Sequence, residues 1–144
     1  MFDHGILLPI QHSILQGTKK FLWRLEVGEI VTSMSCNQSM EFVIAIGITK
    51  QNSSYILVYD SKNSLAIKHH LPNKHQAVDI CFYAINEFAV LAAGEGERYI
   101  FVKRFFRNNG LSFSESKDYP KRKIDTNVKK ITGEYQGMLY LIGR

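Results

Sequence analysis

Phe42-Val43-Ile44-Ala45-Ile46-Gly47, a short polar loop and Tyr55-Ile56-Leu57-Val58-Tyr59 make up the stretch that decides the fold, because it recurs. Phe88-Ala89-Val90-Leu91-Ala92-Ala93-Gly94 and then Tyr99-Ile100-Phe101-Val102 repeat its order: apolar strand, glycine, turn, apolar strand. A third glycine ends Leu141-Ile142-Gly143, so the three glycines stand 47 and 49 residues apart. Val31, Val78 and Val128 open the units at intervals of 47 and 50. Pro72 and Pro120 close the first two, 48 apart.

Outward from these stretches, period-two alternation and turn residues predict strands almost throughout. The first unit reads Ile30 to Cys36, Phe42 to Thr49, Tyr55 to Tyr59 and Leu65 to Leu71. The second reads Ala77 to Tyr83, Phe88 to Ala93, Tyr99 to Phe106 and Leu111 to Ser116. Four short antiparallel strands in a period near fifty are the sequence pattern of a β-propeller blade. Phe21 to Val27, with Gly5 to Ile14, reads as the outer part of an earlier blade. Val128 to Tyr135 and Met138 to Gly143 read as half of a later one. Gln11 to Lys20 is the one segment left open to a helix. The expectation is an all-β chain of propeller-type repeats: blade-like units at about 30–72 and 77–120, a half blade at 128–144, and a single partial propeller domain over 1–144. Four blades, the smallest usual ring, need about 180 residues, so this chain is expected to be a fragment or to pair its open edges with another chain.

The bulk composition suits a globular chain: 144 residues, 45% hydrophobic and 22% charged, too apolar for disorder. No apolar run approaches the length of about eighteen residues that a membrane helix needs, and no membrane partner is expected. Met1 to Pro9 carries an early acid and lacks the basic start of a secretory signal. Cys36 and Cys81 lie in apolar strands without a Cys-x-x-Cys pattern, which predicts buried, reduced thiols and a nuclear or cytoplasmic location.

The net charge of +5 raises the question of nucleic acid. Lys117, Lys121, Arg122, Lys123, Lys129 and Lys130 fall within fourteen residues, together with Asp118 and Asp125. Read blandly, they are a solvated connection between blades whose lysines guard strand edges. As a site, Lys121, Arg122, Lys123, Lys129 and Lys130 are the candidate phosphate contacts, although no aromatic platform is interleaved with them. Lys103-Arg104-Phe105-Phe106-Arg107 could stack bases, but strand alternation predicts one phenylalanine in the core. Trp23 is expected to pack between blades.

No catalytic motif appears. Gly94-Glu95-Gly96-Glu97 has the spacing of a phosphate loop, but its glutamates would repel phosphate and it sits where a hairpin turn belongs. His69 and His70, on opposite faces of one strand, cannot bind one metal together, and with His75 they are expected to face solvent. No enzyme activity, cofactor or metal is therefore expected.

Val58-Tyr59-Asp60 occupies the place of a tryptophan-aspartate pair, but the second unit has Val102-Lys103-Arg104 there. The order of Val31, Ser33, Met34 and Cys36, the glycine-ended strand Phe42 to Gly47, Tyr55 to Tyr59, Val78 to Phe82, Phe88 to Ala92 and Tyr99 to Val102 resembles a different group. It is similar to the last propeller of the large scaffold family that includes the damaged-DNA-binding-protein adaptor of cullin-4 ligases, the large subunit of the cleavage and polyadenylation factor and a splicing-factor subunit. The resemblance covers about Leu25 to Arg144, and it implies a scaffold that holds protein partners in a ubiquitin-ligase or RNA-processing complex and brings no catalytic residues. Two alternatives remain: a nucleoporin or anaphase-promoting-complex-type propeller scaffold, and direct nucleic-acid binding through 117–130.

Overall fold

In the computed structural model, residues 5–8, 20–72, 74–107, 110–115, 122–134 and 137–143 are described, and the regular elements among them are all strands. The β-branched and aromatic runs of the first unit form β3 (Ile30–Cys36), β4 (Val43–Lys50), β5 (Ser53–Asp60) and β6 (Leu65–His70), a four-stranded antiparallel meander. The second unit repeats it with β7 (His75–Ala84), β8 (Glu87–Gly94), β9 (Glu97–Phe106) and β10 (Ser112–Glu115). Two-stranded sheets flank them: β1 (Gly5–Leu8) with β2 (Lys20–Arg24), and β12 (Lys130–Glu134) with β13 (Met138–Ile142). None of these sheets closes on itself among the described residues. Residues 9–14 of the expected early strand, residues 11–19 of the possible helix and the end of the fourth strand at Ser116 lie outside the described residues.

Turn chemistry pins the registers. Glu95 and Gly96, with φ of 53° and 76°, form the two-residue left-handed turn that suits hairpin twist, and Gly94 faces Glu97 across it. Gln51-Asn52 likewise makes a two-residue turn between Lys50 and Ser53, with Gln51 at φ 53°. Because side chains alternate, each central strand feeds two cores. Val43 and Ala45 of β4, with Ile56 and Val58 of β5, pack with Phe82, Phe88, Val90 and Phe105 of the second sheet. Ile46, Ile48, Tyr55 and Leu57 point the other way, where Trp23 and Leu25 cover them. Ala89, Leu91 and Ile100 on the far side of the second sheet pack with Val128 and Ile131. The sheets thus stack face to face in chain order, and each fully buried Leu, Ile, Val or Phe contributes about 1.5–3 kcal/mol.

Two expectations need correction. Gly47 and Gly94 are not equivalent: counted back from the two-residue turn that ends each strand, Gly47 stands where Leu91 stands, and Gly94 where Lys50 stands. Each glycine makes room for a different neighbour. A Cβ on Gly47 would lie 3.1 Å from the Ala77 Cβ, whereas one on Gly94 would meet the His75 ring at 2.7 Å.

The fourth strand of the second sheet is also split. Glu115 of β10 faces Lys103, and Arg122, which opens β11 (Arg122–Ile124), faces Ile100 on the same edge of β9. The residues between Glu115 and Arg122 lie outside the described residues. Arg122 and Lys123 belong to a strand rather than to a loose connection.

Candidate interaction surfaces

Among the described residues, the first strand of each sheet has one edge without a strand partner, and its amides must find acceptors elsewhere. On β7 they find them in the preceding sheet: Ile80 N–H donates to the Ser33 hydroxyl (2.9 Å) and Phe82 N–H to the Ser35 hydroxyl (3.0 Å). The same arrangement recurs one sheet later, where Ile131 N–H of β12 donates to Asp79 Oδ2 (2.9 Å). Ser33 in turn donates to Asp79 Oδ1 (2.9 Å), so three successive first strands are tied through one serine and one carboxylate. These bonds join residues 46, 47, 47 and 52 apart, close to the period of the sequence. Their donors and acceptors were not singled out from the sequence. The available signal is that Ser33, Ser35 and Asp79 are polar positions inside otherwise apolar strands.

At one end of the stacked sheets lies a buried ion pair, again one period apart. The fully buried Asp60, which ends β5, faces Arg107, just past β9, with Nε 3.4 Å from Oδ1. Asp60 also accepts from Lys62 N–H (3.0 Å) and Asn63 Nδ2 (2.7 Å), as an aspartate in a turn does. Glu41 lies 3.9 Å from Arg107 Nη1 and 3.8 Å from Lys62. A second buried acid, Glu87, accepts from the Tyr83 hydroxyl (2.7 Å) and pairs with Arg104. Both carboxylates are compensated, as burial requires.

Among the described residues, the predicted basic residues fall on two elements. Lys121 lies outside the described residues. Arg122 and Lys123 are exposed on β11, where Lys123 Nζ pairs with Glu97 at 2.8 Å. Lys129 and Lys130 are exposed at the start of β12, the strand that packs on β7. Near Glu97, a shallow cavity of about 360 Å³ is lined by Lys74, Gln76, Glu95, Glu97, Arg98 and Thr126, among others. Its two glutamates are matched by two cations, and the Gly94 to Glu97 segment is a turn, as the sequence predicts.

Other side chains fall out as follows. Phe105 is buried and Phe106 exposed, in keeping with alternation. Trp23 packs against the first sheet, donating from Nε1 to the Tyr55 hydroxyl (3.3 Å), while the Lys68 ammonium lies over both rings. Burial, with the Glu29 carboxylate, pushes the Tyr55 phenol up to about 12. Tyr99 is also raised, by its hydrogen bond to Glu97. The histidines are not simply solvent-facing: His69 is half-buried edge-on to Phe113 at 4.2 Å, and His75 packs against Tyr99. Cys36 is exposed rather than buried and Cys81 is half-buried. Desolvation raises the pKa of each.

No protein-family model, curated protein or solved structure matches this chain.

Proposed function

We propose that this chain is part of a β-propeller and serves as a non-enzymatic scaffold for protein partners, in the nucleus or cytoplasm. The observation that carries the reading is the repeated docking of one sheet on the next. Ser33 and Ser35 cap the edge of β7 as Asp79 caps the edge of β12. One operation applied again from sheet to sheet is the relation between blades around an axis. The resemblance to the cullin-4 adaptor and cleavage-factor scaffold family points the same way. In such folds the edges and end loops, here with Glu41, Lys62 and Arg107, are the surfaces offered to partners.

The test is a capture from cells with the wild-type chain and with an Arg122→Glu/Lys123→Glu variant, each with and without nuclease. A scaffold retains the same stoichiometric protein partners in all four arms. Capture that depends on nucleic acid and is lost in the variant would replace this reading with direct nucleic-acid binding. In that case the variant should also flatten the salt dependence of binding by up to about two units, since each phosphate contact contributes about 0.9.

A further inference from the structure

We infer that Thr126 is a phosphorylation site, and that its phosphate docks in the cavity beside it, against Arg98 and Lys74.

Thr126 is well placed as an acceptor. Asp125 to Val128 form a turn, in which Val128 N–H donates to the Asp125 carbonyl (3.1 Å) and Asn127 N–H to Asp125 Oδ1 (2.8 Å). Thr126 stands at the corner of this turn, exposed and outside any strand. Lys121, Arg122 and Lys123 precede it by five, four and three residues. Cations at such places are what a kinase with an acidic substrate groove selects. Arg122 is exposed and makes no ion pair among the described residues.

The cavity supplies the other half of the site. Thr126 lines its space of about 360 Å³ together with Arg98 and Lys74. Ile124, two residues before Thr126, faces Arg98 in the register of β11 on β9, so the turn emerges beside that guanidinium. Arg98 Nη1 is buried and has no hydrogen-bond partner. An unmade bond at a buried charged donor is costly, and a phosphate oxygen is the acceptor that suits it. Lys74 is exposed, and neither it nor Arg98 makes an ion pair among the described residues.

The glutamates of the cavity decide which anion is held. Glu97 is engaged by Lys123 Nζ (2.8 Å) and by the Tyr99 hydroxyl, and Glu95 is exposed in its hairpin turn. Their charges offset those of Arg98 and Lys74, so a free anion gains little there. A phosphate on Thr126 arrives tethered, at an effective concentration of about millimolar order. Docked, it ties the β11–β12 turn to β9 and to the residue that precedes β7.

In the transfer, Thr126 Oγ1 attacks the γ-phosphorus of a nucleoside triphosphate held by the kinase. The Oγ1–P bond forms as the bond to the β–γ bridging oxygen breaks. The nucleoside diphosphate leaves, and the hydroxyl proton passes to the kinase's base.

The test uses the full chain, ATP and a kinase selective for basic residues upstream of its acceptor, with peptide mass spectrometry to locate the phosphate. Modification is expected at Thr126, kept in Thr126→Ser and lost in Thr126→Ala. Arg122→Ala/Lys123→Ala should slow it about tenfold, as the loss of two surface ion pairs with the kinase would. Phosphorus NMR reads the docking: the phosphate should titrate at about pH 5 rather than its ordinary value of about 6. In Arg98→Met it should return to about 6. That substitution gives up no bond seen in the structure, so the unmodified variant should melt no lower than wild type. Phosphorylation should raise the melting temperature of wild type and not of Arg98→Met. A chain left unmodified at Thr126 overturns the acceptor. A phosphate that titrates alike in wild type and Arg98→Met overturns the docking.

Discussion

Gly133 of β12 lies so close to Tyr83 of β7 that a Cβ added to it would stand 2.5 Å from the Tyr83 Cβ and 3.1 Å from its Cα. Only glycine permits the strands to approach that closely. The Tyr83 carbonyl also accepts from Gly137 N–H (3.2 Å), so the turn end of the β12–β13 hairpin is held to β7 on both sides of the turn. Gly133→Ala should cost about 1–3 kcal/mol through forced displacement of the hairpin. Hydrogen exchange should place the loss in β12–β13 while the two four-stranded sheets stay protected. Uniform loosening of all sheets would contradict this.

Asp79→Asn should destabilise the chain by about 1–3 kcal/mol. Asp79 Oδ1 accepts from Ser33 and Ile80 N–H, and Oδ2 from Ile131 N–H. Either orientation of an amide would therefore turn an NH₂ group toward a donor. Urea unfolding of Ser33→Ala, Asp79→Asn and the double variant should give less-than-additive losses, because the two side chains share one network. Strict additivity would mean that the network is not cooperative.

Arg107→Met should cost about 3 kcal/mol, the lower end for breaking a buried pair, since Arg107 keeps 18% of its side-chain exposure. The variant leaves the Asp60 carboxylate in place without its cation. Adding Asp60→Asn should recover part of the loss, and thermal unfolding of the four-member cycle measures the coupling. If Asp60→Asn instead deepens the loss in the Arg107→Met background, the ion pair is not the source of the stability.

Stability should fall as pH rises from about 10 through about 12 on account of Tyr55. Its folded pKa lies above the unfolded value, so the unfolded chain loses the proton first. The stabilising contribution is complete below pH 10 and gone once the folded phenol ionises. Melting temperatures of wild type and Tyr55→Phe between pH 9 and pH 12 isolate this contribution, and the variant should decline less steeply. Parallel curves would remove Tyr55 from the account.

Legibility in the sequence followed the range of the forces. Phe88 to Ala93 and the Glu95-Gly96 turn could be read directly, because alternation and left-handed turn conformations are properties of a few adjacent residues. The four-strand order of each unit followed from the same local signals repeated. The split of the fourth strand could not be read, because β11 takes its place by pairing with the stretch of β9 that β10 leaves open.

The sequence by itself determined the strands other than β11, their order and the two strand-rich units. Tertiary structure alone decided which face each residue presents and what it meets there. It separated Gly47 from Gly94, brought Lys123 to Glu97, and set Ser33 beside Asp79 and Asp60 beside Arg107. The reason is physical. A strand's alternation is set by its own backbone, but a one-residue difference in register exchanges its two faces. Contacts between sheets some fifty residues apart exist only once both registers and the docking of the sheets are in place.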